Sequence, residues 1–207
     1  MRNILILGAG AGGTIVANML RKELSEAEWS ITIIDRDERH FYQPGYLFIP
    51  FGVYSEQDVI KPKKEFIPRG VDFVLDEVVK VDPEQRQVET KLGKYDYDWL
   101  IIATGCDIYP SEIDGMEDGW QTDIFDFYTF EGAKALKQKL KYFDSGKVVL
   151  NIAEIPYKCP IAPLEFVFMA DWFFTANGVR DKVEIELVTP LDNVFTKPVA
   201  AKILAQV

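Results

Sequence analysis

The stretch ILILGAGAGGTIVANML, residues 4–20, decides the fold. Ile4–Leu7 is an unbroken apolar run, the pattern of a strand buried on both faces. Thr14–Leu24 carries apolar residues at helical spacing, and Ile31–Asp35 is a second short apolar run. Strand, helix and strand in that order predict a β-α-β unit, the building element of a parallel sheet. Between the first strand and the helix lie Gly8, Ala9, Gly10, Ala11, Gly12 and Gly13, which contain the spacing G-x-G-x-x-G. Gly8 lets the chain turn tightly, Gly10 lets the backbone approach a pyrophosphate, and Gly13 lets the helix pack on the strand. The helix N-terminus then offers unpaired N–H groups and a partial positive charge. Asp35 ends the second strand, 22 residues beyond Gly13, where an acid binds ribose hydroxyls. Taken singly, these features read equally as a glycine-rich turn and a solvated acid. Together and in order they predict a dinucleotide site.

The bulk numbers narrow the remaining classes. A chain of 207 residues holds one large or two small domains. A formal net charge of −10 argues against a nucleic-acid partner, which needs a positive surface to meet phosphate. No apolar run approaches the roughly 18 residues that cross a bilayer. The chain enters its first strand at once, leaving no room for a signal peptide, so a cytoplasmic start is the simplest expectation. Two cysteines make no disulfide framework, and one histidine, His40, without a cysteine cluster predicts no metal site.

Residues 36–70 are rich in Pro, Gly and aromatics and read as an irregular excursion. VDFVLDEVVKVD (71–82), a turn at Pro83–Gln85 and RQVETKL (86–92) alternate like antiparallel strands, and DWLIIATG (98–105) reads as another buried strand. Residues 106–127 are acidic and turn-rich, the composition of a linker. Thr129 is placed to cap a helix whose Ala133, Leu136, Leu140 and Phe143 share a face. A second strand, loop, helix and strand follow at 147–153, 151–163, about 163–177 and Val183–Thr189, with Asn177-Gly178 as a helix stop. The expected architecture is α/β: a Rossmann-like nucleotide-binding domain over 1–110, with a parallel sheet and a small antiparallel meander, then the start of a second Rossmann-like domain over 111–207. Two strands and one crossover helix cannot cover both faces of a sheet. The second domain is therefore expected to be incomplete, completed by more of the same chain or by a partner chain.

The loop of the second unit, NIAEIPYKCPIAP (151–163), holds three prolines and a cysteine, and no glycine occurs between Gly146 and Gly178. Cβ atoms and proline rings obstruct close approach to a pyrophosphate. Cys159 precedes the predicted helix, with Pro160 and Pro163 suited to its first turn. A thiol near a helix N-terminus is stabilised as the nucleophilic thiolate. A buried, packed cysteine is the equal alternative on position alone.

Two resemblances extend this reading. YDYDWLIIATG (95–105) resembles the two-dinucleotide-domain flavoproteins of the glutathione-reductase superfamily. It implies FAD at Gly8–Gly13, with Asp35 on the adenosine ribose, Arg36 beside the adenine, and Ala103, Thr104 and Gly105 passing close to the cofactor. Gln43 and Val78 are further cofactor positions it implies. KCPIAPLEFVFMADWFF (158–174), followed by GVRDKVEIELVTP (178–190) and LDNVFTKPVA (191–200), resembles the sulfide:quinone oxidoreductases and the flavoprotein subunit of flavocytochrome c sulfide dehydrogenase. This implies that Cys159 is one of a redox pair beside the flavin, that a persulfide forms, and that two electrons pass to FAD and then to a quinone. It also implies a membrane surface reached through a C-terminal part this chain lacks, and leaves room for a homo-oligomer.

The sequence departs from the pattern in four places. The partner cysteine and the last FAD motif belong to that C-terminal part. FYQPGY (41–46) has no cysteine to attach a flavin, and Cys106 is either a displaced family cysteine or, the favoured reading, a packed small residue. FYQPGYLFIPFGVY (41–54) lines a flavin or quinone path or is simply packed, and FVFMADWFF reads as helix core. The rivals are a flavin reductase of the type II NADH:quinone kind on the same scaffold, and a flavin- or nucleotide-binding module without catalysis.

Overall fold

The computed structural model describes residues 1–204, so the last three residues of the second expected domain lie outside it. The chain falls into two compact units: Met1–Tyr42 with Gln57–Tyr109, and Gln43–Glu56 with the chain from Pro110 onward. Residues 43–56, expected as part of the first domain, thus pack with the second unit.

The first unit runs β1 (Arg2–Leu7), α1 (Ala11–Glu23), β2 (Trp29–Asp35), β3 (Arg39–Phe41), β4 (Ile60–Pro62), β5 (Asp72–Leu75), β6 (Val78–Asp82), β7 (Gln87–Thr90), β8 (Lys94–Asp96) and β9 (Trp99–Ile102). Four strands make a sheet in the order β5-β2-β1-β9, parallel throughout. β6, β7 and β8 form an antiparallel meander, and β3 pairs antiparallel with β4. The apolar run of β1 is consumed on both sides. Ile4 and Ile6 pack with Ile31, Ile33 and Ala17 of α1, while Leu5 and Leu7 pack with Ile34 and with Val88 of the meander. A central strand covered by a helix on one face and a meander on the other has no need of alternation.

Two expectations are corrected here. VDFVL is not the first meander strand: β5 leaves the run at Asp76 and pairs parallel with β2, Thr32 to Asp72 through Asp35 to Leu75. Asp76 marks the break. Its carboxylate accepts the N–H groups of Glu77 and Leu92, and its own N–H donates to Asp35 O. DWLIIATG is not a buried strand either. β9 is the sheet edge, with Trp99 64% and Ile102 66% exposed.

The second unit runs α2 (Phe130–Leu140), β10 (Gly146–Asn151), α3 (Ala162–Ala176), β11 (Val183–Val188) and α4 (Pro198–Leu204). β10 and β11 pair parallel from Gly146–Val183 to Asn151–Val188, with α3 as the crossover. Thr129 caps α2: its hydroxyl accepts the Gly132 N–H at 3.0 Å. Buried Asp126 braces that cap, accepting from the N–H groups of Tyr128 and Thr129, and its burial raises its pKa. The core joins Leu136 and Leu140 of α2 to Phe166, Ala170 and Phe174 of α3, and to Leu47 and Phe51. Phe127 stacks on Phe166 at 4.8 Å between ring centroids. Of the aromatics of 41–54, Tyr46 and Phe51 are buried and Tyr42 is exposed, and α3 is core on one face only, since Phe168 and Trp172 are exposed.

Phe174 is 0% exposed and meets Phe143 and Phe173 ring to ring. Phe174→Ala is expected to cost about 3–5 kcal/mol of stability, read as a fall in the midpoint of denaturant unfolding. Trp172→Ala, on the exposed face, is expected to shift that midpoint little.

Candidate functional site

The glycine loop joins β1 to α1. Gly8 has φ +94°, and a Cβ there would lie 2.3 Å from the carbonyl oxygen of Ala103. A Cβ on Gly13 would lie 1.8 Å from the carbonyl oxygen of Gly8. Both glycines are thus required by the fold itself. Gly8 N–H donates to Ile34 O at 2.8 Å, and Ala103 N–H donates to Leu7 O at 2.8 Å, so the loop is fastened to the strands on either side of β1.

Gly10 differs. A Cβ there would meet no atom within 4 Å, and its backbone, φ −74° and ψ −165°, suits any residue. Nothing inside the protein demands a glycine at this position, which fits a loop kept bare for an outside group. Gly10 is also the N-cap of α1, with no side-chain cap and no acid in the first turn. The leading N–H groups therefore have no side-chain acceptor or local anion, the condition under which a helix start binds phosphate. A dinucleotide pyrophosphate fits these features.

Asp35 faces the same loop. Its Oδ2 accepts the Ala9 N–H at 2.7 Å, and its Oδ1 accepts the Asp37 N–H at 2.9 Å. A residue that sequence reasoning missed completes the arrangement. Lys63 Nζ lies 2.6 Å from Asp35 Oδ2, with side-chain exposures of 7% for the lysine and 14% for the acid. Nζ also donates to Asp37 O at 2.8 Å. Arg39 beside Asp37 holds that carboxyl below its ordinary range, with Lys63 adding to the effect. No local pattern separates Lys63 from Lys61 or Lys64. Arg36 is exposed, Val78 packs at the edge of the meander core, and Thr104 and Gly105 are exposed just beyond β9.

The second unit carries the cysteine loop and Gln43, whose side-chain oxygen accepts from Lys158 Nζ at 2.5 Å. Cys159 is exposed, not packed, and has φ +55°. A non-glycine residue in the left-handed region is uncommon, and such strain clusters at functional sites. Its carbonyl accepts the Ala162 N–H at 3.0 Å, which fixes the loop to the start of α3. That helix start has Pro163 and Glu165 in its first turn, so it lacks one N–H and carries a negative charge. Both work against a pyrophosphate there. Tyr128 contributes a hydroxyl that is buried and has no hydrogen-bond partner among the described residues. Burial above all, then the charges of Cys159, Tyr157 and Glu165, hold its proton on. Cys106, favoured from sequence as packed, is exposed, because the chain beyond β9 runs over the surface. Among the described residues no cluster of His, Cys, Asp and Glu could hold a metal ion.

A parallel sheet with a glycine loop, an acid ending β2 and a second β-α-β unit defines the class of dinucleotide-binding oxidoreductases. The family model described as pyridine nucleotide-disulphide oxidoreductase matches residues 2–150, and the chain belongs to that family. Among relatives, the mitochondrial sulfide:quinone oxidoreductase of Dictyostelium discoideum is 31% identical over 186 residues, 88% of this chain and 41% of that protein. A type II NADH:quinone oxidoreductase of Staphylococcus haemolyticus is 36% identical over 118 residues, 56% of this chain and 29% of that protein. The solved sulfide:quinone oxidoreductase of Aquifex aeolicus superposes with a TM-score of 0.83 at 23% identity, over 100% of this chain and 48% of that one. The chain spans less than half the length of each of these proteins.

Gly10→Val is expected to leave the circular-dichroism melting curve near wild type while abolishing FAD binding in a fluorescence titration. Gly13→Ala is expected to destabilise the protein itself by at least about 3 kcal/mol, the upper end for overpacking. A Gly10→Val protein that binds FAD normally would show that the loop is a structural turn only.

Proposed function

We propose that this chain is the N-terminal portion of an FAD-dependent enzyme that oxidises sulfide and passes the electrons to a quinone. The observation that carries the reading is Cys159: an exposed thiol in a strained backbone conformation, standing where a second nucleotide-binding unit would have its glycine loop. The sulfide:quinone relatives supply the chemistry it would serve.

The residues divide the work. Gly8 and Gly13 build the turn, bare Gly10 and the uncapped start of α1 receive the pyrophosphate, and Asp35 receives the ribose. Arg36, Gln43, Val78 and Ala103–Gly105 are the remaining proposed cofactor positions. Cys159 supplies one sulfur of a redox pair whose other cysteine lies outside this chain. In the oxidised pair, hydrosulfide attacks one sulfur and the S–S bond opens. The attacked sulfur keeps the new S–S bond as a persulfide, and its former partner leaves as a thiolate holding the electron pair. FAD held at Gly8–Gly13 would supply a two-electron acceptor for the reduced site and a donor to the quinone. Quinones partition into bilayers, so the enzyme works at a membrane surface. Among the described residues no helix is long and apolar enough to cross one.

The type II NADH:quinone reading has a specific observation in its favour, the match over 118 residues. The cysteine loop weighs against it, because Pro163, Glu165 and the absence of glycine from 147 to 177 leave NADH without a pyrophosphate cradle.

Anaerobic titration of the full-length protein decides between them. Sulfide is expected to bleach the flavin's visible absorbance quickly and NADH far more slowly; the opposite order would assign the protein to the NADH reductases. Cys159→Ala is expected to keep the fold and the FAD, since it removes one small exposed side chain. It is also expected to lose sulfide-dependent quinone reduction by roughly a hundredfold or more, as deletion of a nucleophile does. Turnover of sulfide by Cys159→Ala at the parent rate would remove the cysteine from the mechanism.

A further inference from the structure

We infer that Lys63 is a positioning residue of the dinucleotide site, which locks the ribose-binding acid onto the glycine loop and leaves it one acceptor place for the cofactor. This rests on the reading of Gly8–Gly13 and Asp35 as that site.

A carboxylate has about four acceptor places. Three of those on Asp35 are taken from within the protein: Oδ2 by the Ala9 N–H and by Lys63 Nζ, and Oδ1 by the Asp37 N–H. One place remains, on Oδ1. An acid at the end of β2 with both oxygens open can receive two ribose hydroxyls; this one can receive a single hydroxyl.

Lys63 is well placed to hold the acid still. It follows β4, which pairs antiparallel with β3 through His40–Lys61 and its neighbours. Its own N–H donates to Glu38 O at 2.8 Å, and Phe66 N–H donates back to Lys63 O at 2.9 Å. Backbone bonds thus fix the root of the side chain, and Asp35 and Asp37 O fix its tip. A lysine this buried persists only with its charge compensated. The pair therefore ties the far end of the 36–70 excursion to the glycine loop, through one carboxylate oxygen shared between Lys63 and Ala9.

A double-mutant cycle tests this with two readouts that need no turnover. Lys63→Met keeps the length of the side chain and removes its charge. Asp35→Asn keeps the shape of the acid and removes its charge. The double variant avoids leaving either charge buried alone, so it folds even if a single variant does not. In FAD titrations followed by flavin fluorescence, Lys63→Met is expected to weaken binding roughly tenfold or more. The double variant is expected to bind no more weakly than the poorer single variant, because both changes break one unit. In hydrogen exchange without FAD, the Ala9 amide is expected to exchange faster in Lys63→Met than in wild type. Multiplying losses in the cycle, or an Ala9 amide that exchanges at the wild-type rate in Lys63→Met, overturns the proposal. If the full-length wild-type protein takes up no FAD, the cofactor reading fails, while Ala9 exchange still decides whether Lys63 positions Asp35.

Discussion

A Cβ on Gly13 would sit 1.8 Å from the carbonyl oxygen of Gly8, and a Cβ on Gly8 would sit 2.3 Å from that of Ala103. These two close approaches stack the start of α1, the end of β1 and the end of β9 on one another with only backbone between them. The rest of the first unit follows from that spacing. α1 comes down onto Ile4, Ile6, Ile31 and Ile33, and Ala17, fully buried, lets it come that close. The same approach leaves Ala11 and Gly12 exposed at the head of α1, next to Ala9, whose N–H Asp35 accepts. On the proposed reading, the packing of α1 on β1 is also what presents the loop to the cofactor.

Much of this is legible in the sequence because it is local. The glycine spacing, the apolar run of β1, Asp35 at the end of β2 and the Thr129 cap all involve residues close together along the chain, or repeat with a fixed period. What escapes is settled over longer distances. VDFVLDEVVKVD alternates without a break, and only the docking of β5 onto β2 divides it at Asp76. The aromatics of 43–56 have no period; they join a core with Phe127 and Phe166, more than seventy residues further along the chain, and so move the unit boundary. The composition of DWLIIATG predicts burial, but β9 is the edge of the sheet, where Trp99 and Ile102 are exposed and Leu100 and Ile101 half-buried. Lys63 is one of three neighbouring lysines, and nothing within 20 residues of it says that its partner is Asp35.

The two β-α-β units of this chain set a common geometry against opposite chemistry. In each, a parallel strand leads through a loop to a helix whose first N–H groups point into the loop. Helix starts of this kind favour negative charge in general, so the backbone alone does not separate the two. The side chains do. At α1 the first turn is Ala11, Gly12 and Gly13, without acid, proline or cap, so the helix itself sets no negative charge against a polyanion. At α3 the first turn carries Pro163 and Glu165, and the preceding loop presents Cys159 with its carbonyl spent on Ala162. One proline removes a donor, one glutamate supplies the negative charge that the helix start favours, and a diphosphate loses its reason to bind. A small group needs far less room and no row of donors. On the proposed reading, sulfide is such a group, and the exposed Cys159 sulfur, joined to a second cysteine as a disulfide, is what it attacks.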